Sequence, residues 1–148
     1  MTEERNCIDR YEIQEIIGRG AMGVVYRAID PVIGRIVALK TICSLGDPLF
    51  SPPGGDSVER FAREARAAGL LSHPNIVTIY DVGQMADTGI SYIAMEFVEG
   101  RTLRQLVPHG GVLSASSVAD VGLQVARALD YAHGQGIIHR DVKPANIL

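Results

Sequence analysis

The sequence predicts an α+β fold in two lobes, the first built mainly of antiparallel strands and the second of helices. Up to residue 97, short apolar runs rich in β-branched residues alternate loosely with polar ones, which is typical of strands. Beyond residue 101, apolar residues recur at three- and four-residue spacing, which is typical of helices. The predicted divisions of the chain are an N-terminal extension (1–10), a first lobe (11–95), a hinge (96–101) and the start of a second lobe (102–148).

The first lobe is predicted to contain five strands and one helix. The strands are expected over 11–18, 24–30, 35–42, 76–82 and 90–97. A connection rich in proline and glycine over 43–56 leads into the helix, which Asp56 and Glu59 open as a capping box. The helix is expected to end near Leu71, because Pro74 cannot continue it.

The second lobe is predicted to begin with a short helix after Thr102 and a longer one over 114–133, with Gly134 as its C-cap. The apolar stripe of the longer helix consists of Val118, Val121, Val125, Leu129 and Ala132. Apolar runs at 137–138 and 147–148 are expected to be strand pieces that anchor a polar loop between them.

Composition limits the possible functions. At 148 residues and 47% hydrophobic content, the chain can bury one substantial core and part of a second. Its formal charge of −3 gives no basic field for nucleic acid, and no apolar run approaches the roughly 18 residues of a membrane span. The N-terminus lacks the apolar segment of a signal peptide, and Cys7 and Cys43 have no metal-binding spacing, so a reducing cytoplasm is expected.

A glycine motif, G-x-G-x-x-G-x-V, occupies residues 18–25. Glycines let the backbone turn tightly and approach a phosphate with amide hydrogens directed at it. The same glycines open dinucleotide-binding units, but those continue into a helix. Here Val24, Val25 and Tyr26 continue as a strand, so a loop between two strands is predicted. A purely structural hairpin remains an alternative for this motif alone.

Lys40 and Glu64 are predicted to face each other. Strand alternation places Lys40 on one face with the apolar residues Ile36, Ala38 and Ile42. Glu64 falls inside the apolar stripe of the first helix, which is formed by Val58, Phe61, Ala65, Ala68 and Leu71. Each charge is costly to bury alone and sensible as part of a pair. The alternative for Lys40 is a strand-edge lysine with its ammonium in water.

The polar loop His139-Arg140-Asp141-Val142-Lys143-Pro144-Ala145-Asn146 combines three kinds of chemistry. A carboxylate such as Asp141 can take a proton from a hydroxyl. The Lys143 ammonium can meet a phosphate, and the amide oxygen of Asn146 can ligate a metal. A polar surface loop with chance residues is the alternative.

Together these motifs resemble the N-terminal part of a eukaryotic-type protein kinase domain, closest to the bacterial serine/threonine kinases. The resemblance covers about Tyr11 to Leu148, with every motif in family order and spacing. Lys143-Pro144 after the aspartate resembles the Ser/Thr class rather than the tyrosine kinases. The resemblance implies a kinase-like two-lobe fold and transfer of the ATP γ-phosphate to serine or threonine hydroxyls of a protein substrate.

Site residues are implied by position. The implied ATP-binding residues are Ile17, Gly18, Gly20, Ala21, Met22, Gly23, Val25, Ala38, Lys40, Glu64, Met95, Glu96 and Val98. Among them, the glycines cover the phosphates, Val25 and Ala38 sandwich the adenine, and Met95 is the gatekeeper. Lys40 holds the α- and β-phosphates and is tethered by Glu64, while the backbone of residues 96 and 98 binds the adenine edge.

The resemblance further implies that Asp141 orients and deprotonates the substrate hydroxyl, that Lys143 meets the γ-phosphate, and that Asn146 holds Mg²⁺. The implied partners are ATP and a protein substrate, with no nucleic acid and no membrane span in this chain. The expected location is the cytoplasm, with membrane anchoring of a full-length protein left open.

One departure from the family pattern is large. The sequence stops two residues after Asn146, before the family's Asp-Phe-Gly, activation segment and Ala-Pro-Glu elements. We therefore expect a truncated kinase domain that is inactive as an isolated chain. The alternative is a non-catalytic module that binds a nucleotide or a partner. The presence of Lys40, Glu64, Asp141 and Asn146 favours an enzyme, because a non-catalytic module has no need of all four.

Overall fold

The computed structural model describes residues 7–20, 23–42, 63, 65–107 and 112–148. It divides into two compact units, one made of Met1–Leu70 with Thr78–Phe97 and the other of Leu71–Val77 with Val98–Leu148. The lobe and hinge boundaries drawn from the sequence stay a prediction.

The first unit contains a six-stranded antiparallel sheet. Its strands are β1 (Cys7–Ile8), β2 (Tyr11–Gly20), β3 (Gly23–Asp30), β4 (Arg35–Ile42), β5 (Ile79–Gln84) and β6 (Ser91–Glu96). They lie side by side in the order β1-β2-β3-β4-β6-β5. The prediction of five strands missed β1, because two residues are too short to show a period. It also began the fourth strand three residues early, at 76 instead of Ile79.

One face of the sheet carries the core of this unit. The buried cluster consists of Tyr11, Ala28, Val37, Leu39, Tyr92 and Ala94. Val37, Leu39 and Thr41 are the buried residues of β4 on this face. The opposite face of β4 carries Ile36, Ala38 and Lys40; on it Ile36 is 40% exposed and Ala38 is buried. Strand alternation separates the two faces, and only packing decides which is covered.

The N-terminal segment is fastened to this sheet by charged and aromatic side chains. The Tyr92 hydroxyl donates to Asp9 Oδ2 at 2.6 Å, and Arg10 Nη2 lies 2.8 Å from Asp81 Oδ2. The Tyr11 hydroxyl also donates to Asp81, at 3.0 Å. Burial, followed by these carboxylates, raises the pKa of both tyrosines above its ordinary value.

The predicted helix over 56–71 lies largely outside the described residues, together with its capping box and Glu64. Its described residues, 63 and 65–68, are helical, and Ala65 is buried. A turn follows at 69–70, with the Gly69 N–H donating to the Ala65 carbonyl at 2.8 Å.

The second unit contains the helices α1 (Leu103–Leu106) and α2 (Ala115–Gly134). The short helix predicted after Thr102 is confirmed, because the Thr102 and Gln105 side chains form a capping box. Segment 71–77 is fastened to α2, where the His73 ring lies 5.3 Å from that of Tyr131. The described part of the chain contains no helix long and apolar enough to cross a membrane.

Two predictions for this unit were wrong in detail. Gly134 is the last helical residue and Gln135 is the C-cap, while Gly136 adopts the left-handed conformation (φ 75°) that glycine favours. The apolar runs 137–138 and 147–148 are not strands. They flank a loop that contains the 3-10 turn Pro144–Asn146, and the described residues of this unit include no strand with which they could pair.

Candidate active site

The glycine motif forms a hairpin between β2 and β3. Gly18 pairs with Val25, and Gly20 pairs with Gly23, so the strands continue to residues 20 and 23. Gly23 has a φ of 144°, a conformation that other residues rarely adopt. The strand after Gly23 excludes the strand-to-helix geometry of a dinucleotide-binding unit. Ala21 and Met22, at the tip, lie outside the described residues.

Cross-strand pairing brings predicted ATP-binding residues onto one face of the sheet. Val25 pairs with Lys40, and Ala38 pairs with Met95. Directly opposite residues of antiparallel strands share a face, and residues two apart on one strand do so as well. A Cβ added at Gly18 would lie 3.7 Å from the Cβ of Val25, so a side chain there would cover Val25. This face, opposite the core cluster, therefore carries Val25, Ala38, Lys40 and Met95.

Two predicted contacts remain to be placed: the ion pair of Lys40 with Glu64 and the adenine contact of the Glu96 backbone. Lys40 is half-buried, but Glu64 lies outside the described residues, so their ion pair stays a prediction. The N–H of Glu96 donates to the Thr78 carbonyl at 2.8 Å, and its carboxylate accepts from the Thr78 N–H at 3.1 Å. An adenine contact from the Glu96 backbone would therefore have to use its carbonyl oxygen. Ile17 is 45% exposed on β2, just before the first glycine.

In the second unit, the loop after α2 brings Asp141, Lys143 and Asn146 together. Lys143 Nζ lies 2.7 Å from Asp141 Oδ2. Asn146 Nδ2 donates to both Asp141 Oδ2 (3.1 Å) and the Asp141 carbonyl (2.9 Å). The hydrogen bond from Lys143 and then that from Asn146 lower the pKa of Asp141 below its ordinary value. The Asp141 carboxyl is therefore ionised at neutral pH and fixed in direction.

Backbone geometry holds this constellation in place. Arg140 has a left-handed conformation (φ 62°), which is unfavourable for a residue with a side chain. The Asp141 N–H donates to His139 Nδ1 at 3.2 Å, and the Leu103 N–H donates to the Ile147 carbonyl at 2.7 Å. Sequence reasoning missed both contacts. The two-residue spacing of His139 and Asp141 could have predicted the bond between them. The bond between Leu103 and Ile147 joins distant segments, and no local pattern predicts it.

The residues of this loop fit a divalent cation in part. Asn146 uses its amide nitrogen for both bonds to Asp141, which leaves its oxygen directed elsewhere. Amide and carboxylate oxygens are the ligands that Mg²⁺ prefers. Within the described ranges, no group of three or more His, Cys, Asp or Glu side chains could hold a metal. Asn146 would thus contribute one ligand of an ion held mainly by other groups, such as nucleotide phosphates.

Comparison with known proteins identifies the class. A family model described as "Protein kinase domain" matches residues 11–148, and the chain therefore belongs to the protein kinase family. The solved kinase domain of Mycobacterium tuberculosis PknI superposes with a TM-score of 0.79 at 33% sequence identity. That match covers 99% of this chain and 57% of the PknI chain, and it confirms the predicted kinase-like α+β fold.

Several similar curated proteins are named serine/threonine-protein kinases, and these are bacterial. The chain is 41% identical, over its full length, to the probable serine/threonine-protein kinase SCO3848 of Streptomyces coelicolor, of which it spans 22%. It is 46% identical over 95% of its length to the probable kinase PknB of Corynebacterium glutamicum, spanning 21% of that protein. Mycobacterium tuberculosis PknA is 40% identical over 94% of this chain, which spans 32% of PknA.

Proposed function

We propose that this chain supplies the ATP-binding sheet and the catalytic loop of a serine/threonine protein kinase. The single observation that carries the proposal is the hydrogen-bonded group of Asp141, Lys143 and Asn146. A non-catalytic fold has no need of an ionised carboxylate, an ammonium and an amide held together by a strained loop. The names of the bacterial relatives, and Lys143-Pro144 after Asp141, support serine/threonine specificity.

In this proposal Asp141 accepts the proton of the substrate hydroxyl as its oxygen attacks the γ-phosphorus of ATP. The new P–O bond forms as the bond to the ADP oxygen breaks. Lys143 exchanges its contact with Asp141 for the γ-phosphoryl oxygens, whose charge it offsets. Asn146 would be one ligand of Mg²⁺, which when bound would supply further positive charge against the phosphoryl oxygens.

The face of the sheet that carries Val25, Ala38, Lys40 and Met95 is the proposed nucleotide-binding surface. Val25 and Ala38 offer apolar contact for the adenine, and Lys40 offers the positive charge for the α- and β-phosphates. Ile17, Gly18, Gly20, Ala21, Met22 and Gly23 are the proposed cover over the nucleotide. Glu64 is the proposed partner of Lys40, and the backbone at 96 and 98 is proposed to bind the adenine edge.

A protein with serine or threonine at an accessible site is the proposed substrate, and ATP with Mg²⁺ the proposed co-substrate. The cytoplasm is the proposed location, because ATP is available there and Cys7 is a free thiol. The negative formal charge disfavours nucleic acid as a partner.

The test is phosphate transfer from radiolabelled ATP to a generic basic protein, using a longer protein that contains this chain and the remainder of a kinase domain. Asp141→Asn should lower turnover by roughly 10²–10⁴, the usual contribution of a positioned base, and leave ATP affinity within a few-fold. A wild-type protein that binds ATP with Mg²⁺ and never transfers phosphate would support the non-catalytic module instead.

A further inference from the structure

Arg27 lies on the proposed nucleotide-binding face of the sheet. It pairs directly with Ala38 of β4, which in turn pairs with Met95 of β6. It also follows Val25 by two residues on β3 and therefore points to the same side. Ala38 carries only a methyl group, so nothing large on β4 stands between Arg27 and β6. The charged Arg27 side chain therefore adjoins the proposed adenine contacts Val25 and Ala38.

On one side, Arg27 contacts an irregularity in β2. The pairing of β2 with β3 shifts between Ile13 and Glu15, so Gln14 is the extra residue of a β-bulge. The Arg27 guanidinium donates a hydrogen bond to Gln14 Oε1. A bulge bends its strand and redirects its side chains. Arg27 thus binds the strand that leads into the glycine loop at the point where that strand deviates.

On the other side, Arg27 reaches the end of β6. The centre of its guanidinium lies 5.5 Å from the centroid of the Phe97 ring, within the range of a cation–π contact. Phe97 immediately follows Glu96, one of the two residues whose backbone is proposed to bind adenine. The strands β3 and β6 lie on either side of β4, so they are separated by about 10 Å at ordinary strand spacing. One side chain therefore connects the glycine-loop strands with the segment that follows β6.

We propose that Arg27 is a positioning residue that sets the spacing between the glycine-loop strands and the Glu96–Phe97 segment, and thereby the affinity for adenine nucleotides. The inference rests on the proposed function, because it assigns the nucleotide to this face. Arg27 acts through Gln14 and Phe97. A planar guanidinium can donate to an amide and stack on a ring at once, whereas a lysine ammonium cannot reproduce both contacts.

The experiment compares Arg27→Met, Arg27→Lys and Phe97→Leu with Arg66→Met, which removes an exposed arginine elsewhere in the same unit. Affinity for ADP and ATP with Mg²⁺ is measured by calorimetry on the 148-residue chain and on a longer kinase domain. Arg27→Met should weaken nucleotide binding about two- to fivefold, the effect of one partly exposed cation–π contact. Arg27→Lys should lose nearly as much nucleotide affinity as Arg27→Met. The double variant Arg27→Met with Phe97→Leu should lose little more affinity than either single variant.

Hydrogen exchange of the free protein supplies a readout that does not depend on a ligand. Arg27→Met should speed exchange at the amides of Gln14 and Phe97, and Arg66→Met should not. One outcome would overturn the inference and leave the proposed function standing. In it, the wild-type protein binds nucleotide, and Arg27→Met has the same nucleotide affinity and the same amide exchange rates as the wild type. Absence of nucleotide binding by the wild-type longer domain would overturn the proposed function and the affinity role together. If Arg27→Met fails to fold, additive effects of Arg27→Lys and Phe97→Leu would overturn the inference.

Discussion

At the residue scale, the pKa and the direction of the Asp141 carboxyl depend on two neighbours in its own loop. Lys143 and Asn146 both donate to its carboxylate, and the Asp141 side chain is otherwise open to solvent. Because exposed ion pairs contribute little to stability, we regard these bonds as a means of directing the carboxylate rather than of holding the fold together.

The first prediction concerns the titration of Asp141. Its pKa should lie below the ordinary value of 3.8, so the bonds to Lys143 and Asn146 persist above that value and are lost as the pH falls through the lower pKa. Lys143→Met should raise the pKa towards 3.8, since it removes the largest cause of the shift. The carboxyl carbon of Asp141, followed by NMR, reports the midpoint. Arg140→Met is the control, and an equal shift in both variants would contradict the assignment.

The second prediction concerns Lys40. In a longer kinase domain, Lys40→Met should reduce phosphate transfer by about 10²-fold or more, because it removes the positive charge that is proposed to bind the phosphates. Folding should be unaffected, since Lys40 lies opposite the core cluster and is only half-buried. Phosphate transfer and thermal unfolding are measured together, with Arg66→Met alongside. Near-wild-type turnover in Lys40→Met would show that the assigned role is wrong.

At the scale of elements, the short strand β1 depends on side chains for its place in the sheet. It has two residues and, in the part of the chain that the structure describes, pairs with β2 alone. Asp9 follows it with a left-handed φ of 52°, an unfavourable conformation that needs compensation. The hydrogen bond from the Tyr92 hydroxyl to the Asp9 carboxylate offsets this cost. It ties Asp9 to a strand 83 positions further along the chain.

The third prediction tests this contact. Tyr92→Phe should lower the free energy of unfolding by about 1.5–3 kcal/mol at neutral pH, the typical contribution of a hydrogen bond to a charged group. The stabilisation should be complete below the ordinary tyrosine pKa of 10.0 and should decline as the pH rises above it, because the folded-state pKa is raised. Urea unfolding at several pH values measures both effects.

The control for this prediction is Tyr80→Phe, since Tyr80 is partly exposed on β5 and its ring, stacked under Arg35, would be retained. Equal destabilisation by the two substitutions would mean that the Tyr92–Asp9 bond has no special role.

At the scale of the whole molecule, the second unit leaves much apolar surface in water. Among the described residues of this unit, the large apolar ones exposed by 45% or more are Leu106, Val112, Val118, Leu123, Ile138, Val142 and Leu148. In α2, only Ala128 and Ala132 are buried. The predicted stripe of α2 is therefore covered at its C-terminal end, whereas Val118, near its N-terminal end, is 55% exposed.

The fourth prediction follows from this exposure. The 148-residue chain should bind a dye specific for apolar surface and should associate at high concentration. Val118→Ser with Leu123→Ser should reduce both, because it makes the exposed side of α2 polar. Fluorescence and light scattering provide the measurements, with Val32→Ser in the first unit as a control for loss of a single exposed apolar side chain. A chain that stays monomeric and does not bind the dye would contradict the prediction.

The sequence by itself determined the protein family and the identity of most candidate site residues. Glycine spacing, the strand lysine and the His-Arg-Asp loop are local patterns. Such patterns can be recognised in a sequence without knowing how the chain packs. The strands β2, β3, β4 and β6 and the helices α1 and α2 were predictable for the same reason, because each carries its own periodicity or cap.

Only the tertiary structure decided which face of β4 is buried, because alternation is symmetric until something packs against one side. It also supplied β1, whose two residues gain their conformation from β2 and from the Tyr92–Asp9 bond. The contact of Arg27 with Phe97 joins residues 70 positions apart, and the sequence around neither residue predicts it. Long-range contacts of this kind depend on strand register, which is a property of the assembled sheet.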